Sequence, residues 1–409
     1  MSIERIIAQR IAHGEEQSFS RFIIRIAIIA ITLSVTIMIC SICMVGGFTR
    51  EIKEKIFGFW GEIHIHNLDN KSSFEAEPID VSTININKIK SLSGVKIVSP
   101  YITKAGILKS KTEIEGIAVK GIDQHTDWTF INDYIVDGKA INYNDTAFSK
   151  DVLISKVLAN KLNLKVDDNI IVYFLKKQTT QPIGRKVHIS GIYKTGLYEY
   201  DEKFVLCDLR LLQQINMWQP NEVTGLEVRL KEMGKMDEIK DKIYYTIIDN
   251  TKYAETIKEV YPSIFEWLNL QKTNEYIILL IMAVVALLNM ISALIILLLD
   301  RPQMIGILKA LGVSTRKIEK IFIYQASYII FYGLLFGNSL AIILCLIQKY
   351  TGIIKLNEEN YYLSEVPVYF DIPKILVVNI LTFVICFLVL YIPSRIIGKI
   401  SPIKAIRFD

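Results

Sequence analysis

The stretch DRPQMIGILKALGVSTRKIEKIFI, residues 300–323, decides how this sequence is read. It lies between two long apolar runs, 276–299 and 321–347, and is the one place where two such runs are joined by a loop dense in Arg and Lys. Two more runs, 22–46 and 375–393, are of the same kind. Each is long enough to cross a hydrocarbon core of about 30 Å as a helix. With 51% hydrophobic and 22% charged residues among 409, the chain is too apolar for a soluble protein and too charged to lie wholly in a bilayer. The expectation is an α-helical membrane protein with four transmembrane helices plus a large soluble α/β domain.

Charge placement orients these spans. Segments 1–25, 300–320 and 394–407 are rich in Lys and Arg, whereas the loop 349–374 carries Glu358, Glu359, Glu365 and Asp371. By the positive-inside rule both termini and the 300–320 loop are cytoplasmic, and the insertion over 47–270 and the 349–374 loop are outside. A net charge of +5 does not point to nucleic acid, because the basic residues flank apolar runs and form no solvated stripe. The first run is read as a retained anchor: Arg5, Arg10, Arg21 and Arg25 precede or enter it, and no A-x-A cleavage pattern follows. Before it, Ile3, Ile6, Ile7 and Ile11 give residues 1–20 the spacing of an amphipathic helix on the membrane surface. Within it, Thr32, Ser34, Thr36 and Ser41 are small polar residues suited to a helix contact.

Past Gly46-Gly47, Ile52, Ile56 and Trp60 share a helical face, which predicts that the first helix continues as a stalk. The stretch 61–270 then alternates in GEIHIHNL, VKIVSPYI, KTEIEGIAVKGI, NIIVYFL, KVHISGIY and FVLCDL, the pattern of half-buried strands. DVLISKVLANKLNL and DLRLLQQI read as helices, capped by Asp151 and Asp208. His64 and His66 fall on one strand face, read as solvated, with no carboxylate at ligand spacing and no metal expected. Cys207 is the single cysteine of the insertion, so no internal disulfide forms there. No catalytic signature is present, and the insertion reads as a binding and force-bearing domain. One feature projects from it: strand-like runs 170–175 and 186–193 flank KKQTTQPIGR, predicting a basic hairpin loop with Lys176, Lys177, Gln181, Pro182, Ile183 and Arg185 as candidate partner contacts.

In the loop itself, Met304, Ile307, Leu308 and Leu311 make one helical stripe, Gly312 ends the turn, and Ser314 caps a new helix entering the third span. Gly306 and Ala310, four apart, are read as a smooth strip for close approach of another backbone. Gln303, Met304, Ile305, Gly306, Ile307, Leu308, Lys309, Ala310, Leu311 and Gly312 are the candidate docking residues for a soluble partner. A plain membrane-lying connector would show the same pattern. The sequence holds no G-x-x-x-x-G-K-[ST] loop, so no nucleotide cofactor is expected on this chain.

MIGILKALGVSTRKIEKIF resembles the coupling segment of the FtsX/MacB-type permeases of ABC transporters, with Gln303-Met304 standing where a Glu is usual. SPIKAIRFD resembles the same superfamily's ending. FTREIKEKIFGFWGEIHIHN, after the first span, and NYYLSEVPVYFDI, residues 360–372, resemble its lipoprotein-releasing branch, the LolC/LolE-type permeases. The resemblance implies a MacB-like periplasmic core and a multi-pass protein of the bacterial inner membrane. It implies that ATP with Mg is held by a separate ATPase, and the partners it implies are two ABC ATPase subunits, a second permease copy or paralogue, a lipoprotein substrate, a periplasmic lipoprotein carrier and membrane lipid. ATP-driven closure would push on residues 303–317, and the stalks would pass that motion outward to expel the lipoprotein. The 175–186 hairpin holds the position of the loop, called the hook in LolC-type subunits, that binds the carrier. Two rival readings are an FtsX-like signalling permease that regulates cell-wall hydrolases, whose external domain is smaller, and a MacB-like efflux permease, which carries a fused ATPase before its first span.

Overall fold

The computed structural model describes residues 19–69, 77–110, 113–144, 147–176 and 179–390; the side chains of residues 19–21, 175, 176, 179–181 and 233 fall outside that description. The tail 394–409 and all but the last two residues of the surface helix expected over 1–20 lie outside the described residues. The chain forms two compact units, one of residues 51–266 with 356–364, the other of residues up to 50, 267–355 and from 365 onward.

Helix α1 is unbroken over Phe19–Trp60. The Gly46-Gly47 pair does not stop it, because Gly47 serves a close approach: a Cβ there would lie 2.6 Å from the Pro367 carbonyl oxygen. Beside it the Tyr369 amide donates to the Cys43 carbonyl at 3.0 Å.

The unit built on 51–266 holds a ten-stranded sheet. Its strands are β1 (Ile63–Asn67), β2 (Val95–Lys109), β3 (Ile114–Ile122), β4 (Ile135–Gly138), β5 (Asp151–Ser155), β6 (Asn169–Lys176), β7 (Thr179–Tyr193), β8 (Phe204–Asp208), β9 (Gly225–Leu230) and β10 (Lys252–Thr256). Six of these close on themselves: β2 pairs β3, β3 pairs β8, β8 pairs β5, β5 pairs β7, β7 pairs β6, and β6 returns to β2 through Gly106↔Phe174 to Lys109↔Ile171. The ring has no free edge on its own circuit, which protects its backbone groups. The first half of β2 leaves it and continues the sheet through β9, β1 and β10.

Two local expectations change here. DVLISKVLANKLNL is a strand followed by a helix: Asp151–Ser155 is β5, and α2 covers only Lys156–Leu162. Its cap is Ser155, whose Oγ accepts from the Leu158 amide at 3.0 Å, and not Asp151. β-branched Val152 and Ile154 favour the strand, which pairs on both sides. In α3 (Leu209–Asn216) Asp208 is the cap, accepting from the Arg210 amide at 2.9 Å.

In the second unit, α4 (Pro262–Leu299), α5 (Pro302–Ala310), α6 (Thr315–Thr351) and α7 (Ile372–Val389) follow. α1, α4, α6 and α7 are the four helices among the described residues long and apolar enough to cross a membrane. α6 approaches α1 at two glycines one turn apart. A Cβ on Gly333 would lie 2.5 Å from Ile31 Cγ2, and one on Gly337 2.7 Å from Val35 Cβ. Thr36 Oγ1 donates across this seam to the Gly337 carbonyl at 3.2 Å. α6 and α7 are joined by a reciprocal amide pair, Asn338 to Asn379, at 2.8 and 2.9 Å.

The loop 349–374 is not one piece. Its residues 356–364 belong to the sheet-bearing unit, where Lys194 pairs with Glu358 at 2.7 Å, the Tyr362 hydroxyl donates to Glu199 Oε1 at 3.3 Å, and Lys55 Nζ donates to the Tyr362 carbonyl at 3.2 Å.

Candidate functional site

The 300–323 stretch folds as α5, a four-residue connection over 311–314 and the start of α6. Pro302 opens α5 where its missing N–H costs nothing. Gly312, with φ +80 and open space around it, closes the turn behind the helix, and the Val313 amide donates back to the Leu308 carbonyl at 3.0 Å. Ser314 takes the extended backbone of an N-cap ahead of α6 without a side-chain cap bond.

Burial divides the candidate docking residues into two faces. Ile305 is 0% exposed, Gly306 is buried, and Met304 and Leu308 pack against the membrane-unit core. Gln303, Ile307, Ala310 and Leu311 point outward, Ile307 at 53% and Leu311 at 75% exposure. The expected stripe of Met304, Ile307, Leu308 and Leu311 is therefore split between core and surface. The strip of Gly306 and Ala310 is split as well, since Gly306 faces the core. At about 100° per residue Gly306 and Ala310 stand only about 40° apart, so the edge of the buried face runs between them. Lys309 is half-buried and Gly312 exposed. The outward face offers the large apolar side chains of Ile307 and Leu311 beside Ala310 and the polar Gln303, helical neighbours that make one continuous patch.

The other candidate lies in the sheet-bearing unit, where the structure replaces the expected ten-residue loop with strand. β6 and β7 pair as far as Lys176↔Thr179. The register shifts between Phe174 and Lys176, and Pro182 stands in this irregularity, where its missing N–H breaks no regular ladder bond. Pro182 is exposed, and Ile183 and Arg185 are half-buried. Lys177 lies outside the described residues, as do the side chains of Lys176 and Gln181.

The histidine pair is not a solvated face. His64 is 4% exposed and donates from Nε2 to the Trp60 carbonyl at 2.8 Å, and burial pushes its imidazole down to about 4, leaving it neutral. His66 stands 2.7 Å from Glu255 Oε1. Among the described residues no group of His, Cys, Asp or Glu is arranged to hold a metal ion. Next to His64, burial pushes the Glu62 carboxyl up to about 7 against the pull of the Leu230 amide, 3.0 Å from its Oε2. Residues that pattern reading passed over sit close by: Lys120 and Glu227, each 2% exposed, pair at 2.6 Å. The signal was present as single charges inside the apolar runs IAVKGI and GLEVRL.

Residues 276–402 match the family model described as FtsX-like permease C-terminal, and residues 26–244 match the MacB-like periplasmic core domain. The chain is 23% identical over 428 aligned residues to the lipoprotein-releasing system transmembrane protein LolC of Neisseria meningitidis serogroup B, covering 100% of both chains. It is 21% identical to the lipoprotein-releasing system transmembrane protein LolE of Haemophilus influenzae, over 99% of each. With the LolC protein of Buchnera aphidicola subsp. Schizaphis graminum it shares 25% identity over 89% of this chain and 88% of that one.

Proposed function

The chain belongs to the family with the MacB-like periplasmic core domain, here joined to an FtsX-like permease region, and from that premise we propose that it is the permease subunit of an ABC transporter that releases lipoproteins from the bacterial inner membrane. The observation that carries this reading is end-to-end similarity to proteins named for lipoprotein release, with no segment of either chain left over in the first of them. Both termini and α5 lie in the cytoplasm, and the sheet-bearing unit in the periplasm.

The physical problem is extraction. Each acyl CH₂ holds a lipid anchor in the membrane by about 0.8 kcal/mol, so three chains cost on the order of 30 kcal/mol to withdraw and need an external drive. A separate ATPase, carrying ATP and Mg, supplies it by pressing on the outward face of α5. Gln303, Ile307, Ala310 and Leu311 receive that contact, while Ile305 and Gly306 hold the helix to the membrane unit. The apolar side chains of Phe22, Ile26, Ile29, Leu33 and Ile37 are exposed along α1 at spacings of three and four, a stripe that suits acyl chains or a second permease. The β6–β7 hairpin hands the lipoprotein to a periplasmic carrier through Pro182, Ile183 and Arg185.

The test is depletion of the protein, followed by assay of lipoproteins in separated inner and outer membranes. Accumulation in the inner membrane is expected. Unchanged sorting with altered cell-wall hydrolysis would replace this reading with that of a signalling permease.

A further inference from the structure

The last carbonyls of a helix lack intrahelical partners, and water ordinarily takes them. At the end of α1 protein groups do so instead. The Gly61 amide, at φ +76, donates to the Phe57 carbonyl at 2.7 Å. The next three carbonyls go to three different strands: Gly58 accepts from Arg229 Nη2 of β9 at 2.6 Å, Phe59 from Lys120 Nζ of β3 at 2.6 Å, and Trp60 from His64 of β1 at 2.8 Å. Two of the donors are cations set against the negative end of the helix dipole. Lys120 is further fixed by the ion pair with Glu227 and by the Trp60 ring, 4.2 Å from its ammonium. Arg229 stands 3.7 Å from Asp127, which also pairs with Lys96 at 2.6 Å.

This arrangement is a poor choice for stability alone. Taking an ammonium and a carboxylate out of water costs so much that well-packed apolar replacements of both are often neutral or stabilising. Apolar packing is also non-directional, and would let a helix end turn or slide against the sheet. Short bonds to three successive carbonyls, two of them charge-assisted, do not. We propose that Lys120, Glu227 and Arg229 form a clamp that fixes the end of α1 to β3 and β9, so that motion along this helix is passed into the periplasmic sheet. They are positioning residues for release, and the inference rests on the reading of the chain as an ATP-driven permease.

The experiment uses the whole transporter with its ATPase, reconstituted in proteoliposomes with a triacylated lipoprotein, and reads lipoprotein released per ATP hydrolysed. Lys120→Met alone strands the Glu227 carboxylate and lowers the melting temperature. Lys120→Met with Glu227→Met removes both charges and restores melting, yet release per ATP falls about 5-fold or more, the lower end of typical coupling between sites, with the ATPase rate unchanged. A purely structural pair predicts the opposite, wild-type release in the double variant, and that result overturns the clamp. If the double variant does not recover wild-type melting, Arg229→Gln decides by the same ratio: a fall supports the clamp and a wild-type ratio overturns it. Amide hydrogen exchange in β3 and β9, with and without ATP, reads the coupling without cargo. A wild-type response lost in the variants supports the clamp, and a response kept by them, or absent from the wild type, overturns it. A wild type that shows this response but releases no lipoprotein refutes the release reading and leaves the clamp standing.

Discussion

Gly337→Ala tests the seam between α1 and α6. The added Cβ would sit 2.7 Å from Val35 Cβ, 2.9 Å from its Cγ1 and 3.0 Å from the Thr32 carbonyl oxygen. Carbon atoms settle at about 3.5–4.0 Å, so the two helices must part by about 1 Å. Neither side can yield by rotation alone, because Val35 is β-branched and Ile31, Val35, Met38 and Ile39 along the same face are all at most 1% exposed. Overpacking of this kind costs about 1–3 kcal/mol. Separation also stretches the Thr36 to Gly337 bond, 3.2 Å at present, worth about 0.6 kcal/mol by the average for interhelical bonds in membranes. The expected result in detergent is a melting temperature lowered by several degrees, read by size exclusion after heating. A second ruler lies on the same seam, where Cys40 Sγ and Cys345 Sγ are 3.9 Å apart. Copper-phenanthroline oxidation in a Cys43→Ser background should cross-link them in the parent and markedly more slowly in Gly337→Ala. Gly46→Ala is the control, since nothing lies within 4 Å of a Cβ there. A Gly337→Ala protein that melts and cross-links like the parent refutes the close approach.

Three other outcomes follow from particular residues. Glu62 has a folded pKa of about 7, above the usual carboxylate range, so its charge opposes folding once the pH rises through that value; Glu62→Gln should stabilise the full-length protein by about 2–3 kcal/mol at pH 8 and by little at pH 5, as melting against pH will show. Asn163 ends α2 in the left-handed region at φ 52, so Asn163→Gly should be neutral or slightly stabilising and Asn163→Val destabilising by about 1–2 kcal/mol in thermal melts. Leu311→Asp should abolish co-purification with the ATPase while leaving melting unchanged, whereas Ile305→Asp should lower melting; the reverse pattern would show that α5 presents its other face.

What the sequence disclosed and what it hid divide along one physical line. Spans, the stop at Gly312 and most strands were legible because each is written in local periodicity, and the long apolar helices α4 and α6 leave little else for their residues to be. The faces were not. Alternation in IHIH marks two sides of a strand, but β1 lies between β9 and β10 and is covered on both sides: Ile63 and Ile65 are 0% exposed, His64 4% and His66 6%. GLEVRL is not among the stretches read as strands, and its charges Glu227 and Arg229 are buried because partners far along the chain, Lys120 and the carbonyl of Gly58, satisfy them. The stripe on α5 is divided for a similar reason: which side of that helix is buried depends on α6 and the core it meets, not on its own spacing.

Three passages of chain enter the sheet-bearing unit, the ends of α1 and α4 and the segment 356–364, and their attachments differ in kind. α1 ends in buried charge-assisted bonds to consecutive carbonyls, and stacks Phe57 on Phe265 of α4 with ring centroids 6.0 Å apart. The 356–364 segment is held by Lys194–Glu358, whose side chains are 39% and 34% exposed, by the Tyr362 hydroxyl, and by one bond from the buried Lys55 to the Tyr362 carbonyl. Exposed pairs of this sort contribute about 0–1 kcal/mol and weaken with salt, whereas breaking one partner of a buried pair costs about 3–5 kcal/mol. The Lys194–Glu358 attachment is therefore the salt-sensitive one, and the end of α1 is not.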